Sequence, residues 1–215
     1  MPWPLIIVDI IIVIIVFAVI IVIRSFYIAD KTGKRGERIV ARMLESIRKK
    51  RGGYIINNVI LPIHKWTTQV DHIYFSKEGI FVIETKNYSG EITGNETIYK
   101  WKQVIGYRRI HINKLPNPIR QNAAHVYAVQ ELIFNEDIPV YSIVIFVKAD
   151  ISHIRNDKVH NLKTAKEFIL KCPEVLDDEQ VLESYKIIKA YKDKPIISEE
   201  EHIRRIKEKY HDDIT

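Results

Sequence analysis

The chain has 215 residues, 47% of them hydrophobic and 28% charged, with a formal net charge of +6; setting aside the first two dozen leaves one domain of ordinary size with a full core. A single cysteine, Cys172, excludes an intramolecular disulfide, and nothing requires an oxidising compartment. The eight histidines lack H-E-x-x-H-type spacing, and there is no Gly-rich phosphate loop, paired CxxC, internal repeat or low-complexity tract; zinc chemistry and a small-molecule cofactor are therefore not expected.

Leu5–Ile23 holds one charge, Asp9, and as a helix reaches about 28 Å, close to the hydrocarbon thickness of a bilayer. A transmembrane anchor over residues 1–24 is expected, with Trp3 at the interface. A cleaved signal peptide fits less well, because no basic region precedes the run and no small-x-small site follows it. Arg24, Lys31, Lys34, Arg35 and Arg38 follow the segment, so the positive-inside rule expects a single-pass protein of the cell membrane with the rest of the chain in the cytoplasm. Residues 25–32 read as a linker.

Gly36–Lys50 reads as a helix, with Val40, Met43, Leu44 and Ile47 at helical spacing and Gly52-Gly53 at its end. Glu37 borders that apolar stripe; its position is compatible with an acid reaching into a cleft, but suits better an acid stabilising a helix N-terminus. Tyr54–Leu61 is β-rich and stops at Pro62. Gln69–Phe75 and Ile80–Lys86 then form a hairpin around the loop Ser76–Gly79. With that loop, residues whose numbers sum to 155 face each other, so Asp71 sits opposite Glu84. Period-two alternation brings Lys86 to the same face and turns Thr85 away.

Two carboxylates opposed in otherwise apolar strands are destabilising unless something positive lies between them, and a divalent metal is the simplest candidate. A lysine beside such a pair can orient or deprotonate a water, or steady charge on a phosphate. A solvated strand face is the plainer reading of Glu-x-Lys taken alone.

After the hairpin, turn signals at Ser89-Gly90 and Gly94-Asn95 suggest one more hairpin extending the sheet. Asn117-Pro118 starts a helix running to about Phe134, with Gln121, Ala124 and His125 on one side. Alone, Gln121 reads as a solvated or satisfied polar residue more readily than as a functional one. Pro139–Lys148 reads as a buried central strand. A short strand near Lys158–Asn161 and helices near Thr164–Lys171, Asp178–Lys192 and Ser198–Tyr210 complete the chain.

The positive charge lies before residue 150. Arg48, Lys49, Lys50, Arg51 and Lys65 suit a polyphosphate backbone or anionic lipid equally. Lys100, Lys102, Arg108, Arg109, Lys114 and Arg120 stand in an acid-free stretch with Tyr99, Trp101, Tyr107, His111 and Tyr127, which favours nucleic acid because aromatic rings stack on bases.

In this order the elements resemble the PD-(D/E)xK nuclease superfamily with its restriction-endonuclease-like fold, and more closely the NERD (nuclease-related) domain. The matching residues are Gly36-Glu37, Gln69-Val70-Asp71-His72-Ile73, Val82-Ile83-Glu84-Thr85-Lys86-Asn87, Gly90 and Gly94 before Trp101, and Asn117-Pro118 with Gln121. Val70 departs from the wider superfamily, which has proline there. The resemblance covers residues 33–150 and implies an α/β fold, an α+β core around a mixed sheet. It implies Asp71 and Glu84 as metal ligands, Lys86 as catalytic lysine, Glu37 as an acid assisting the metal, Gln121 as support for substrate or water, and Mg²⁺ or Mn²⁺ as cofactor. Residues 151–215 match nothing and read as a helical extension that packs on the core.

The leading expectation is a membrane-anchored, metal-dependent nuclease taking nucleic acid, DNA ahead of RNA. A catalytically silent nucleic-acid-binding or scaffolding domain is the alternative, and a lipid-surface adaptor a third. The helices after residue 160 are where a homodimer would form.

Overall fold

A computed structural model describes residues 3–106, 109–198 and 200–204, without the side chains of residues 3–10, 13 and 25–30. Its elements are α1 (Trp3–Arg51), β1 (Tyr54–Ile63), β2 (Trp66–Ser76), β3 (Gly79–Lys86), β4 (Glu91–Thr93), β5 (Lys100–Ile105), β6 (His111–Pro116), α2 (Pro118–Ile133), β7 (Val140–Phe146), β8 (Val159–Asn161), α3 (Leu162–Lys171) and α4 (Asp178–Asp193). The expected helix Ser198–Tyr210 is helical over 200–204, and its remainder lies outside the described residues.

The first difference from expectation is at the N-terminus. Residues 25–32 are not a linker but part of α1, which runs unbroken from Trp3 to Arg51; after Pro4 in its first turn, where proline is tolerated, no proline follows to break it. Among the described residues no helix is long and apolar enough to cross a membrane. The expected span Leu5–Ile23 includes side chains outside the description, among them Asp9, as does Trp3, and the structure does not support it.

A five-stranded sheet of order β1-β2-β3-β7-β8 forms the centre. The β1–β2 and β2–β3 pairs are antiparallel, whereas β3–β7 and β7–β8 are parallel, so the sheet is mixed as expected. The hairpin register is His72↔Ile83, Ile73↔Val82, Tyr74↔Phe81, Phe75↔Ile80 and Ser76↔Gly79. The turn is the two residues Lys77 and Glu78 rather than all of Ser76–Gly79, and the register is the same. Pro62 does not end β1, which is an edge strand and loses no ladder bond to proline.

Helices cover both faces. On one, Val40, Leu44 and Ile47 of α1 and Ala165 and Ile169 of α3 pack with Tyr74, Phe81, Ile83, Ile143 and Ile145. On the other, Ala128, Val129 and Ile133 of α2 and Val181 and Ile188 of α4 pack with Val59, Leu61, Val70, Ile73, Phe75, Ile80 and Val82. The chain after residue 150 thus supplies a strand to the sheet and a helix to each face. α2 begins as its sequence dictates: Asn117 accepts from the N–H groups of Ile119 and Arg120, and Pro118 opens the helix.

The segment after β3 does not extend the main sheet. β4, β5 and β6 form a separate three-stranded sheet, because β7 already occupies the edge of β3. Trp101 and Ile92 anchor it against Ile119, Val144, Phe146 and Val159. Gly94 permits this contact, since a Cβ there would lie 2.3 Å from Trp101 Cγ.

Candidate active site

β3 carries Glu84 and Lys86 on the α2 side, following Ile80 and Val82 in the two-residue period. On the other strand the apolar phase shifts at Asp71: Ile73 and Phe75 face the same core as Val70. β1 shifts in step, since Ile56 and Val59 share that core and Asn58 between them has φ +53°. The regular ladder therefore ends at His72↔Ile83. In place of a further cross-strand backbone bond, the Thr85 N–H donates to Asp71 Oδ2 at 2.8 Å.

Four predicted residues come together here. Lys86 Nζ donates to Glu84 Oε1 at 2.6 Å and to Gln121 Oε1 at 2.8 Å, and the Asp71 and Glu84 carboxylates are close enough to act on each other's charge. Glu37 reaches the edge of the cluster rather than its centre. It accepts from Asn58 Nδ2 at 3.2 Å, and its charge acts on Asp71 through space. Gly36 allows this approach of α1, because a Cβ there would meet Asn87 Cβ at 2.6 Å.

The two acids are driven in opposite directions. Burial, then the Glu84 charge, pushes the Asp71 carboxyl up to about 8, against the Thr85 N–H bond. Burial also works against ionised Glu84, but Lys86 and His125 together outweigh it and hold that carboxyl below its usual range. Burial opposes the Lys86 charge as well, yet Glu84 keeps the ammonium above the ordinary lysine range.

Sequence reading missed three participants. His125 is buried and places Nε2 3.1 Å from Glu84 Oε2 and Nδ1 2.7 Å from Thr68 Oγ1. Ionised Glu84 can only accept, so His125 Nε2 donates to it, and Nδ1 forms the second hydrogen bond with the Thr68 hydroxyl. Asn122 is fully buried and donates through Nδ2 to Val82 O and Ser142 Oγ, which docks α2 on β3 and β7 and so sets Gln121 over Lys86. The Asn117-Pro118 start had fixed the helical phase; what was missing was which face of α2 meets the acids.

The donor set fits a hard divalent cation. Among the described residues no group of three or more His, Cys, Asp or Glu side chains is arranged to hold a metal, so an ion here would have the two carboxylates of Asp71 and Glu84 as its protein ligands. Mg²⁺ commonly takes one or two carboxylates and completes its shell with water and phosphate. The push on Asp71 comes first from burial and then from the Glu84 charge, and a cation held by both carboxylates would offset the second.

Among the predicted nucleic-acid contacts, Lys102 and Lys114 are exposed and directly opposite on β5 and β6. Lys100 lies two residues along the same face of β5, and Arg109 is exposed in the preceding turn of β6. Arg120 covers the Tyr99 ring. Arg108 lies outside the described residues.

The model of the nuclease-related domain, NERD, matches residues 32–147, from the last turns of α1 before Gly36 through β7. The chain belongs to the NERD family. An uncharacterised protein of Bacillus anthracis is 38% identical over 115 residues, 53% of this chain and 52% of the relative; the chain thus spans about half the length of the curated relative it matches. No solved structure matches. Every residue of the acid and lysine cluster lies inside the NERD match, whereas β8, α3 and α4 lie beyond it.

Proposed function

We propose that this NERD chain is a divalent-metal-dependent nuclease, hydrolysing phosphodiesters at Asp71, Glu84, Lys86 and Gln121, and is held at the cytoplasmic face of a membrane by Leu5–Ile23. The observation that carries the reading is the convergence of the half-buried Asp71 and the buried Glu84, acids of opposite tendency, with a lysine fixed between Glu84 and Gln121.

Asp71 and Glu84 would hold Mg²⁺ or Mn²⁺. When bound, such an ion neutralises phosphate charge and acidifies water. Glu84 holds the Lys86 ammonium above the ordinary lysine range, which suits it to donate to a phosphate oxygen and stabilise the charge that builds there. Gln121 spends its carbonyl on Lys86 and keeps the ammonium aimed at the reacting centre. His125 keeps Glu84 ionised and oriented. Lys100, Lys102, Arg109 and Lys114 supply the electrostatic attraction for a nucleic-acid backbone.

The membrane part rests on α1. From Ile11 to Ile23 its large described side chains are 49–65% exposed, an uncovered apolar cylinder that water does not favour. The basic residues from Arg24 to Arg38 follow it.

The test is cleavage of single- and double-stranded DNA and RNA by the full chain in detergent, with Asp71→Ala and Lys86→Ala in parallel. Cleavage that requires Mg²⁺ or Mn²⁺ and falls at least about a hundredfold in both variants is expected. Binding without cleavage under every metal condition contradicts the reading and favours a silent binding domain.

A further inference from the structure

Beside the acid and lysine cluster stands an aromatic ring with no place in the core. Tyr99 is 76% exposed, and the Arg120 guanidinium lies over its ring, 4.0 Å from the centroid. Such high exposure under a stacked guanidinium leaves the opposite face of the ring open.

The ring is also held in place. The Asn117 N–H donates to Tyr99 O at 3.0 Å, and Asn117 Nδ2 donates to the carbonyls of Asn95, Glu96 and Ile98. Trp101 Nε1 donates to Asn95 O from the buried side. Residues 95–99 therefore hang on the N-cap of α2. The same helix carries Gln121, the neighbour of Arg120, which accepts from Lys86. The platform and the reacting cluster are joined through consecutive residues of one helix turn.

Positive charge continues from the ring along the small sheet. Lys100 follows Tyr99 directly, and Lys102 faces Lys114 across the β5–β6 pair. Neither strand contains an acid, so the opposed lysines carry a like-charge cost that a bound polyanion removes.

We propose that Tyr99 and Arg120 form a base-stacking platform, so that the nucleic acid this site takes is single-stranded where it enters. Within a duplex both faces of each base are covered, and pulling one out costs a few kcal/mol. A single strand offers its faces freely, and each base stacked on an aromatic ring gains about 1–3 kcal/mol. The base rests on Tyr99 while the adjoining phosphates run over Lys100, Lys102 and Lys114. This inference rests on the nuclease reading for the identity of the ligand.

The experiment reads binding rather than cleavage. The full chain in detergent, with EDTA, is titrated into a fluorescein-labelled DNA strand and into the blunt duplex made from it, and anisotropy is followed for the wild type, Tyr99→Ala and Tyr99→Phe. The strand is expected to bind about tenfold tighter than the duplex; Tyr99→Ala weakens strand binding about tenfold, Tyr99→Phe restores it, and duplex binding stays unchanged. Equal binding of strand and duplex, an equal loss on both in Tyr99→Ala, no loss on either, or no binding at all overturns the platform. Cleavage of the same strand with Mg²⁺ separates the two claims. Tyr99-dependent strand preference without cleavage sinks the nuclease reading alone, and cleavage without strand preference sinks the platform alone.

Discussion

Asp71 and Glu84 are half-buried and buried acids on neighbouring strands, yet Asp71 is pushed up to about 8 and Glu84 is held down. The sign of the resulting linkage is fixed. Without metal, folded Asp71 keeps a proton that the unfolded chain gives up near pH 4, so its contribution to stability is full below that pH and is lost as pH rises through about 8. Denaturant titrations in EDTA at pH 5 and pH 8.5 should show the wild type losing stability relative to Asp71→Asn as pH rises; parallel trends in both proteins contradict this. His125 tests orientation at the same scale. Replacing it with Ala removes the proton donor on Glu84 Oε2 and is expected to weaken Mn²⁺ binding about 10- to 100-fold, with His125→Gln intermediate, as read from the free-Mn²⁺ paramagnetic resonance signal. Glu84 and Lys86 were legible because strand alternation decides their facing from sequence alone, and the hairpin sum put Asp71 near them, although the ladder ends at His72↔Ile83 and Asp71 meets the Thr85 N–H instead of pairing with Glu84. His125, Asn122 and Thr68 were not, because their partners lie on another element, and helix-to-sheet docking is a tertiary fact that no local pattern encodes.

Elements repeat that division between local and tertiary information. The hairpin register, the Asn117-Pro118 helix start and the central strand β7 follow from side-chain period and turn chemistry. The Ser25–Thr32 linker failed because position relative to an apolar run is not a helix-stop signal, and the residues in between can propagate the helix. The small sheet failed for a competitive reason: β4 and β5 pair well, but β7 had taken the edge they were expected to join. Two substitutions probe these joints. Trp101→Ala empties the contact that seats the small sheet on Ile119 and Phe146, with an expected loss of about 3–5 kcal/mol by chemical denaturation. Gly36→Ala forces α1 from Asn87 and should cost about 1–3 kcal/mol. A neutral result for Trp101→Ala would mean that the sheet docks by other contacts.

For the whole molecule, the NERD match stops at residue 147 but the fold does not. β8 adds to the sheet, and Val181 and Ile188 of α4 sit in the core beneath β1 and β2. A chain ended at residue 150 exposes that core and is expected to aggregate or to lose its cooperative unfolding transition, whereas a cooperative transition matching the full chain contradicts an integral role. At the other end, the exposed apolar side chains of α1 lead to the expectation that the full chain resists alkaline extraction from membranes. Deleting residues 1–30 should release it, and release of the full chain itself would remove the anchor from the account. The sequence spoke for this end through hydropathy alone, and at the other end it marked the short strand near Lys158–Asn161 and the helices but not which face of the sheet each helix covers.

The central claim is that Asp71 and Glu84 hold a divalent cation, and it can be tested without knowing the substrate. Mn²⁺ titration of the full chain, followed by paramagnetic resonance, is expected to show one saturable ion per chain that both Asp71→Asn and Glu84→Gln abolish while the proteins stay folded by circular dichroism. Undiminished Mn²⁺ binding in both variants, or none in the wild type, contradicts the account.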